Sequence, residues 1–534
     1  LLRGRLTGRS LAIGLVGSLL LSPLAPWPVR AAERLEVVID GITLPITVDE
    51  LQGLAGAGAG ERSELTTWLR LLDQDSRSGL IRLLNAPVLT RRSLGQQLLR
   101  SWAAQPLIDA LGDLIQVDSV KGTERISSER ILSTMEKLLT EAPQVSTLDL
   151  LEALPAERLR VNLDALLQAA GRWKTQVERQ QRLTSHLSRQ PVEVLDPLAS
   201  GVERFRPGPR RIRLSVPHRV EDLELQSWSA ARSDRRRPWI LVMPGLGGDP
   251  DHFQWLARGL ASAGWSVVLM EHPGSDSAAV QALLEGREPL AGAEALRQRM
   301  QDLQAVLLAQ RRGTLDVPGD RVVLIGHSLG AFTALMATGR VPQPGLPQRC
   351  RQALDELPLT NLSLLLQCEL AKEGALEARI SVPELAAVVG LNSFGSLIWP
   401  PGPSRPASIP VLLMGGTLDL ITPPLAEQLG MLASFGQHPF SRAVIVEGGS
   451  HFSAIRVEGQ SSSGDGDDLF RLGEELVGVN PLAVQELLRR ELIAFLEQIE
   501  GAAEATASHH YQEGSVRWHR FSSRDAAALE SALQ

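Results

Sequence analysis

Cysteine is nearly missing: Cys350 and Cys368 are the only two in 534 residues, and neither stands at a strand-to-helix turn where a thiol nucleophile would sit. Bridged in an oxidising compartment, the pair would close a short loop and add about 3 kcal/mol; unbridged, they are two buried thiols, and both readings stay open. An excess of positive charge is missing too. Lys and Arg number 54 against 61 Asp and Glu, and the net charge of −7 argues against a nucleic-acid partner. The mean hydropathy of −0.01 gives no sign of a polytopic membrane protein. No metal or cofactor is implied. Asp249, Asp251 and His252 stand together without a ligand spacing, and a helix N-terminus explains the acids. From about residue 49 to 173 there is no Cys/His cluster, no glycine-rich phosphate loop and no evenly spaced repeat.

What is present divides the chain into four parts. Arg3, Arg5 and Arg9 precede an apolar core from Leu11 to Leu21, prolines follow, and Val29-Arg30-Ala31 offers small residues for cleavage. Residues 1–32 therefore read as a Sec-type export signal, with a retained membrane-anchoring N-terminus as the alternative; the apolar core is too short to span a bilayer. No Arg-Arg pair and no cysteine before Cys350 disfavour a twin-arginine signal and a lipoprotein anchor. Periplasm, cell envelope or medium is the expected location. Residues 33–190 read as a separate, mainly helical domain with a β-hairpin start. Leu35, Val37 and Ile39 alternate, Asp40-Gly41 follows, Ile42, Leu44 and Ile46 alternate again, and leucines then recur at helical spacing. A lid or docking role is expected of it. Residues 191–500 form the α/β domain, entered through a proline-rich linker, and 501–534 read as a C-terminal tail.

The α/β part is organised around Arg321 to Ala331, RVVLIGHSLGA. An apolar strand runs into Gly326-His327-Ser328-Leu329-Gly330 and a helix of small residues follows, which is the nucleophile elbow of an α/β-hydrolase. Gly326 and Gly330 let the turn close, and Ser328 stands at its apex as the candidate nucleophile. Earlier apolar strands end in Pro244-Gly245-Leu246-Gly247-Gly248 and Glu271-His272-Pro273-Gly274, and the alternation with helices predicts a mostly parallel, doubly wound sheet. A serine needs a histidine to take its proton and a carboxylate to hold that histidine, in the order Ser, acid, His. Strand Val411 to Met414 leads to Asp419, and strand Ala443 to Val446 leads to His451. His438 precedes its strand and His509, His510 and His519 lie far along the chain, so they compete poorly. The backbone N–H groups of Leu329 and Leu246 are the expected oxyanion donors. His327 is expected to pack or support.

With these placed, the chain resembles the platelet-activating factor acetylhydrolase and dienelactone hydrolase-like branch of the α/β-hydrolases. It is closer still to exported bacterial hydrolases with an N-terminal helical domain of unknown function. The stretches that carry the resemblance are the Ala32 to Leu51 start, PGLGG at 244–248, HPGSDS at 272–277, GHSLGA at 326–331, SLLLQC at 363–368, GGTLDLITPP at 415–424 and GGSHFS at 448–453. The resemblance implies hydrolysis of carboxylic esters, short-chain or lipid-like, by Ser328, Asp419 and His451, with no cofactor and with peripheral membrane contact left open. Pro244 stands where such loops often carry His, and a serine replaces the cysteine of dienelactone hydrolases proper. The insertion at about 342–378, holding both cysteines and the apolar run Leu362 to Leu366, is expected to form a lid, an ordinary packed insertion being the alternative. Two rival functions remain: a silent binding protein on this fold, against which the intact Ser, Asp and His order speaks, and a triad hydrolase of peptides or thioesters. Oligomeric state is not legible.

Overall fold

β-Branched and leucine-rich runs bounded by Gly and Pro set the strands, and among the described residues they form a five-stranded sheet, an eleven-stranded sheet and a two-stranded ribbon of residues 87–90 and 144–146. The computed structural model describes residues 34–39, 42–56, 74–85, 87–90, 115–119, 122–126, 128–142, 144–154, 158–195, 208–230, 234–284, 287, 291–355, 360–378, 380–402, 408–435, 438–456, 479–501 and 504–533. The expected signal at 1–32 and the Ser/Gly/Asp run at 461–468 lie outside the described residues.

In the N-terminal part, β1 (Arg34–Ile39) and β2 (Ile42–Thr47) pair antiparallel from Arg34↔Thr47 to Ile39↔Ile42, as the two alternating runs imply. Further strands follow: β3 (Pro87–Thr90), β4 (Ile115–Ser119), β5 (Gly122–Arg125), β6 (Gln144–Ser146) and β7 (Arg158–Asn162). β1 runs parallel to β7, which pairs with β4, so the order is β2-β1-β7-β4-β5 and the region holds more sheet than a hairpin. These strands are short and flanked by charged residues, as in IQVDS and GTER, so their two-residue period is hard to read beside the leucine-rich helices. Thr47 starts the helix Val48–Ala55 by a reciprocal cap with Glu50, and Ser146 does the same with Asp149 for Thr147–Ala153. The helix Leu163–Ser188 leaves this region and crosses to the second sheet, where Leu183 and Leu187 are buried in its core.

That sheet contains β8 (Glu193–Val194), β9 (Arg210–Leu214), β10 (Leu223–Trp228), β11 (Trp239–Met243), β12 (Val267–Met270), β13 (Val322–His327), β14 (Leu385–Leu391), β15 (Val411–Gly416), β16 (Arg442–Val446), β17 (His509–Glu513) and β18 (Val516–Ser522). Their order is β8-β17-β18-β16-β15-β14-β13-β11-β12-β10-β9. From β12 across to β16 every neighbouring pair is parallel, while β9 and β10 lie antiparallel at one side. This is the α/β-hydrolase fold. Every residue of β11, β12, β13 and β16 is buried because helices cover both faces. Leu241, Met243 and Leu324 pack on the side of helix Gly292–Arg311, and Ile240, Val242 and Ile325 on the side of helices Gln254–Ser262 and Pro481–Glu500.

The expectation of a tail at 501–534 is corrected. β17 and β18 continue the sheet antiparallel from β16, and helix Ser523–Leu533 packs behind them. Trp518 and Phe521 are buried there; the available signal was the apolar set Val516, Trp518 and Phe521, weakened by three histidines and two arginines in 509–520. In the insertion, helices Leu346–Asp355 and Ser363–Leu370 are joined by a Cys350–Cys368 disulfide with Cα atoms 5.6 Å apart. Closing a loop of this length stabilises by about 3 kcal/mol. The double variant Cys350→Ala/Cys368→Ala should therefore unfold several degrees below the parent in a calorimetric scan under oxidising conditions. An unchanged midpoint would show that packing alone holds the two helices.

Candidate functional site

The order of strands reverses at β11, whose neighbours are β12 on one side and β13 on the other, so the loops after β11 and β13 part around a crevice at the C-terminal edge. Ser328 ends β13 there, with φ 51° and ψ −117°, a backbone conformation that a non-glycine residue enters only at a cost of about 1–3 kcal/mol. Close packing holds it. A Cβ on Gly330 would lie 2.0 Å from the Met243 carbonyl oxygen, and one on Gly326 would lie 2.2 Å from the Gly330 carbonyl carbon. Strand and helix can approach this closely only without side chains at those two positions. The Ser328 N–H donates to Leu391 O at 2.9 Å, and helix Leu329–Met336 begins immediately after.

Asp419 and His451 lie on the loops after β15 and β16, and the structure brings them together. His451 Nδ1 is 3.0 Å from Asp419 Oδ2, and both side chains are buried. Asp419 is held on every side. Its Oδ1 accepts from the amides of Ile421 and Thr422 at 2.9 and 2.7 Å, and its Oδ2 accepts from Thr422 Oγ1 at 2.6 Å and Asn392 Nδ2 at 2.8 Å. Burial by itself would raise the Asp419 pKa; His451 and the Thr422 hydrogen bonds outweigh it and bring the carboxyl down to about 2. A carboxylate so placed keeps the histidine oriented with Nδ1 protonated and Nε2 free to receive a proton.

His327 sits against this pair. Its Nε2 lies 2.9 Å from the His451 carbonyl oxygen and its ring is 5.0 Å from the His451 ring, while burial takes its pKa down to about 3. It is a neutral donor that fixes the backbone of the histidine loop. The apposition of Gly245 completes the crevice: a Cβ there would touch His327 Nδ1 and Ser328 Cβ, each at 3.0 Å. Leu246 follows in the same turn, half-buried, and its N–H makes no hydrogen bond among the described residues. Leu329, the other expected donor, is the first residue of the elbow helix, which has no side-chain cap.

Sequence reasoning passed over Asn392 and Thr422. Asn392 has φ 48° at the end of β14 and also reaches the Ser450 carbonyl, so it ties the acid loop to the histidine loop. The polar pair Asn392-Ser393 straight after the apolar run Leu385 to Leu391 and a Thr three places past Asp419 were the available signals. Asp249 and His252 form the reciprocal cap of the turn Pro250–Phe253. Glu427, also missed, is a buried carboxylate that accepts from Asn361, Ser363, Gln367, Gly395 and Ser396, joining the insertion to the loop after β14.

Comparison with known proteins agrees with this architecture. Residues 239–458 match the model of the alpha/beta hydrolase family, and residues 31–162 match that of an alpha/beta hydrolase of unknown function. The match over residues 239–458 agrees with the α/β-hydrolase fold of the large sheet. No curated protein matches it.

Two outcomes follow from the geometry. Gly330→Ala should cost about 3 kcal/mol or more, because the methyl carbon meets backbone carbonyls that cannot retreat without parting β11 from the elbow. Chemical denaturation would read this, and a parent-like midpoint would refute the close approach. Because the Asp419 pKa is lowered on folding, from 3.8 to about 2, its contribution to stability is present above about pH 4 and is lost as pH falls towards 2. Unfolding midpoints measured between about pH 2 and 6 should fall more steeply in the parent than in Asp419→Asn; equal slopes would contradict the assignment.

Proposed function

We propose that the chain is a serine hydrolase of carboxylic esters. Ser328 Oγ attacks the ester carbonyl carbon while His451 Nε2 takes its proton, and Asp419 stabilises the imidazolium. The tetrahedral oxyanion is received by the N–H groups of Leu246 and Leu329. As the intermediate collapses, the C–O bond to the alcohol breaks and the alkoxide leaves with the proton from His451. Water, deprotonated by the same histidine, then releases the acid and restores Ser328. The observation that carries this reading is the buried Asp419–His451 pair at 3.0 Å, on loops at the same sheet edge as a serine held at φ 51°.

The acyl group we assign is short-chain or lipid-like, as in the platelet-activating factor acetylhydrolase-like enzymes that the sequence resembles, with lipid catabolism as the setting. Two observations support it. Leu418 and Leu420, on either side of Asp419, are 45% and 50% exposed at the acid loop. A cavity of about 220 Å³ adjoins that loop; Leu364 of the insertion, Pro423 and Leu425 share its wall with Arg179, Asn361 and Glu530, and Ser328 and His451 lie outside its lining. Its other side is the helix Leu163–Ser188, where Gln180 Nε2 donates to the Thr417 carbonyl at 2.9 Å and Gln176 Oε1 accepts from Thr360 Oγ1 at 2.7 Å. These contacts support a role for the N-terminal part as a border of the entrance. Export is consistent with the disulfide, which persists in an oxidising compartment.

The test is hydrolysis of p-nitrophenyl acetate and butyrate, with labelling by a fluorophosphonate. Ser328→Ala should abolish both, and Asp419→Asn should lower kcat by about 10⁴-fold. Labelling that survives Ser328→Ala would reject the nucleophile. Faster turnover of matched thioesters or amides would move the substrate class away from oxygen esters.

A further inference from the structure

The loop that carries Leu246 rests on a buried cation that the proposed mechanism does not use. Arg299 projects from helix Gly292–Arg311 and is 1% exposed. Its fork bridges two loops: Nη1 donates to Pro244 O at 2.8 Å, Nη2 to Gly245 O at 2.9 Å and Nε to Ser275 Oγ at 2.8 Å. Ser275 belongs to the loop after β12, and its own carbonyl accepts from Gly247 N at 2.9 Å, so the two loops are sewn together at this point.

A guanidinium buried without a directly bonded carboxylate is costly, and the carboxylates that offset part of the cost are Asp302, one helical turn away and shared with Arg219, and Asp276. Asp302, fully buried, takes a bidentate pair of hydrogen bonds from Arg219 at 2.6 and 2.7 Å and further ones from His218 and His272 at 2.8 and 2.9 Å. Burial presses the Arg299 pKa down to about 9, with Asp302 opposing, so the side chain stays charged at neutral pH. Surface residues could close a turn at far lower cost. Here a charge is aimed at two consecutive carbonyls instead.

The consequence lies in the geometry of the peptide unit. No peptide bond among the described residues is cis, and in a trans unit carbonyl and N–H point in opposite directions. Gly245 O receives Arg299 Nη2 and also the Gly248 N–H at 3.3 Å, so the N–H of the same unit, that of Leu246, points away from the guanidinium; Gly245 itself is packed against His327 and Ser328. The cation at the oxygen end also polarises the amide and adds positive potential behind the donor, where negative charge develops in the transition state.

We propose that Arg299 is a positioning residue of the oxyanion loop, turning the Gly245–Leu246 peptide so that its N–H faces the crevice and strengthening it as a donor. This rests on the ester-hydrolase reading above. The role predicts a loss confined to the transition state: the ground-state ester does not need the donor, while the oxyanion does.

The experiment compares Arg299→Lys and Ser275→Ala with the parent on p-nitrophenyl butyrate, together with the affinity for a trifluoromethyl ketone, which forms an oxyanion on the serine, and for the matching methyl carbinol, which does not. Arg299→Lys should lower kcat by about 10- to 100-fold and weaken ketone binding in parallel, with KM and carbinol affinity within about 2-fold of the parent. Ser275→Ala, which removes the Nε contact and the Ser275 Oγ–His272 O hydrogen bond but leaves both Nη contacts, should show the same pattern at about 3- to 10-fold, and it decides the matter if Arg299→Lys does not fold. Parent-like kcat and ketone affinity in the folded variants would overturn the proposal, as would an equal loss of ketone and carbinol binding, which marks a merely structural residue. Ser328→Ala run alongside separates the two readings: if it retains turnover, the nucleophile assignment fails, whatever Arg299 does.

Discussion

The site depends on one close approach, the passage of Gly330 under the carbonyl of Met243. With no room for a single extra carbon, the elbow helix is pinned to the neighbouring strand, and Ser328 is left with a backbone it would not choose. The strain is borne by the sheet. Five parallel pairings in a row, every strand buried on both faces, make the turn the cheapest element to distort and the hardest to relax.

Around that point, polar groups are fixed in layers. Asp419 is saturated by two backbone amides, a threonine and an asparagine before it meets His451, so its remaining freedom is spent on the imidazole. His327 holds the histidine loop by a carbonyl, and Asn392 holds the same loop from the other side. Glu427 does for the insertion what Asp419 does for the histidine, collecting donors from elements distant in sequence. A low-dielectric setting makes each of these bonds strong and each omission expensive.

How much of this could be read from the chain varied with period and contrast. The central strands were legible because apolar runs such as WILVM and VVLIGH are short, unbroken and closed by glycine, and the elbow followed from its flanks. Asp419 and His451 were legible because each stands just past such a run. Asn392 and Thr422 were not, since an Asn and a Thr near a strand end usually serve turns. Arg299 was invisible: on a helix whose other arginines face solvent, nothing in the residue order tells which one is swallowed by the core. The small N-terminal sheet hid behind charged two-residue alternations, and β18 hid behind its histidines and arginines.

The outer edge of the large sheet joins chain segments from far apart. β8 lies beside β17, and Arg517 of β18 donates to the carbonyls of Ser188 and Gln190, the former 329 residues distant. An edge assembled from both sides of the hydrolase core cannot be sealed while the polypeptide is still being made. Until the β17–β18 hairpin docks, β16, apolar apart from Arg442, presents an open edge. Closure of this edge therefore depends on contacts between segments far apart in the sequence, the kind of pairing that slows folding.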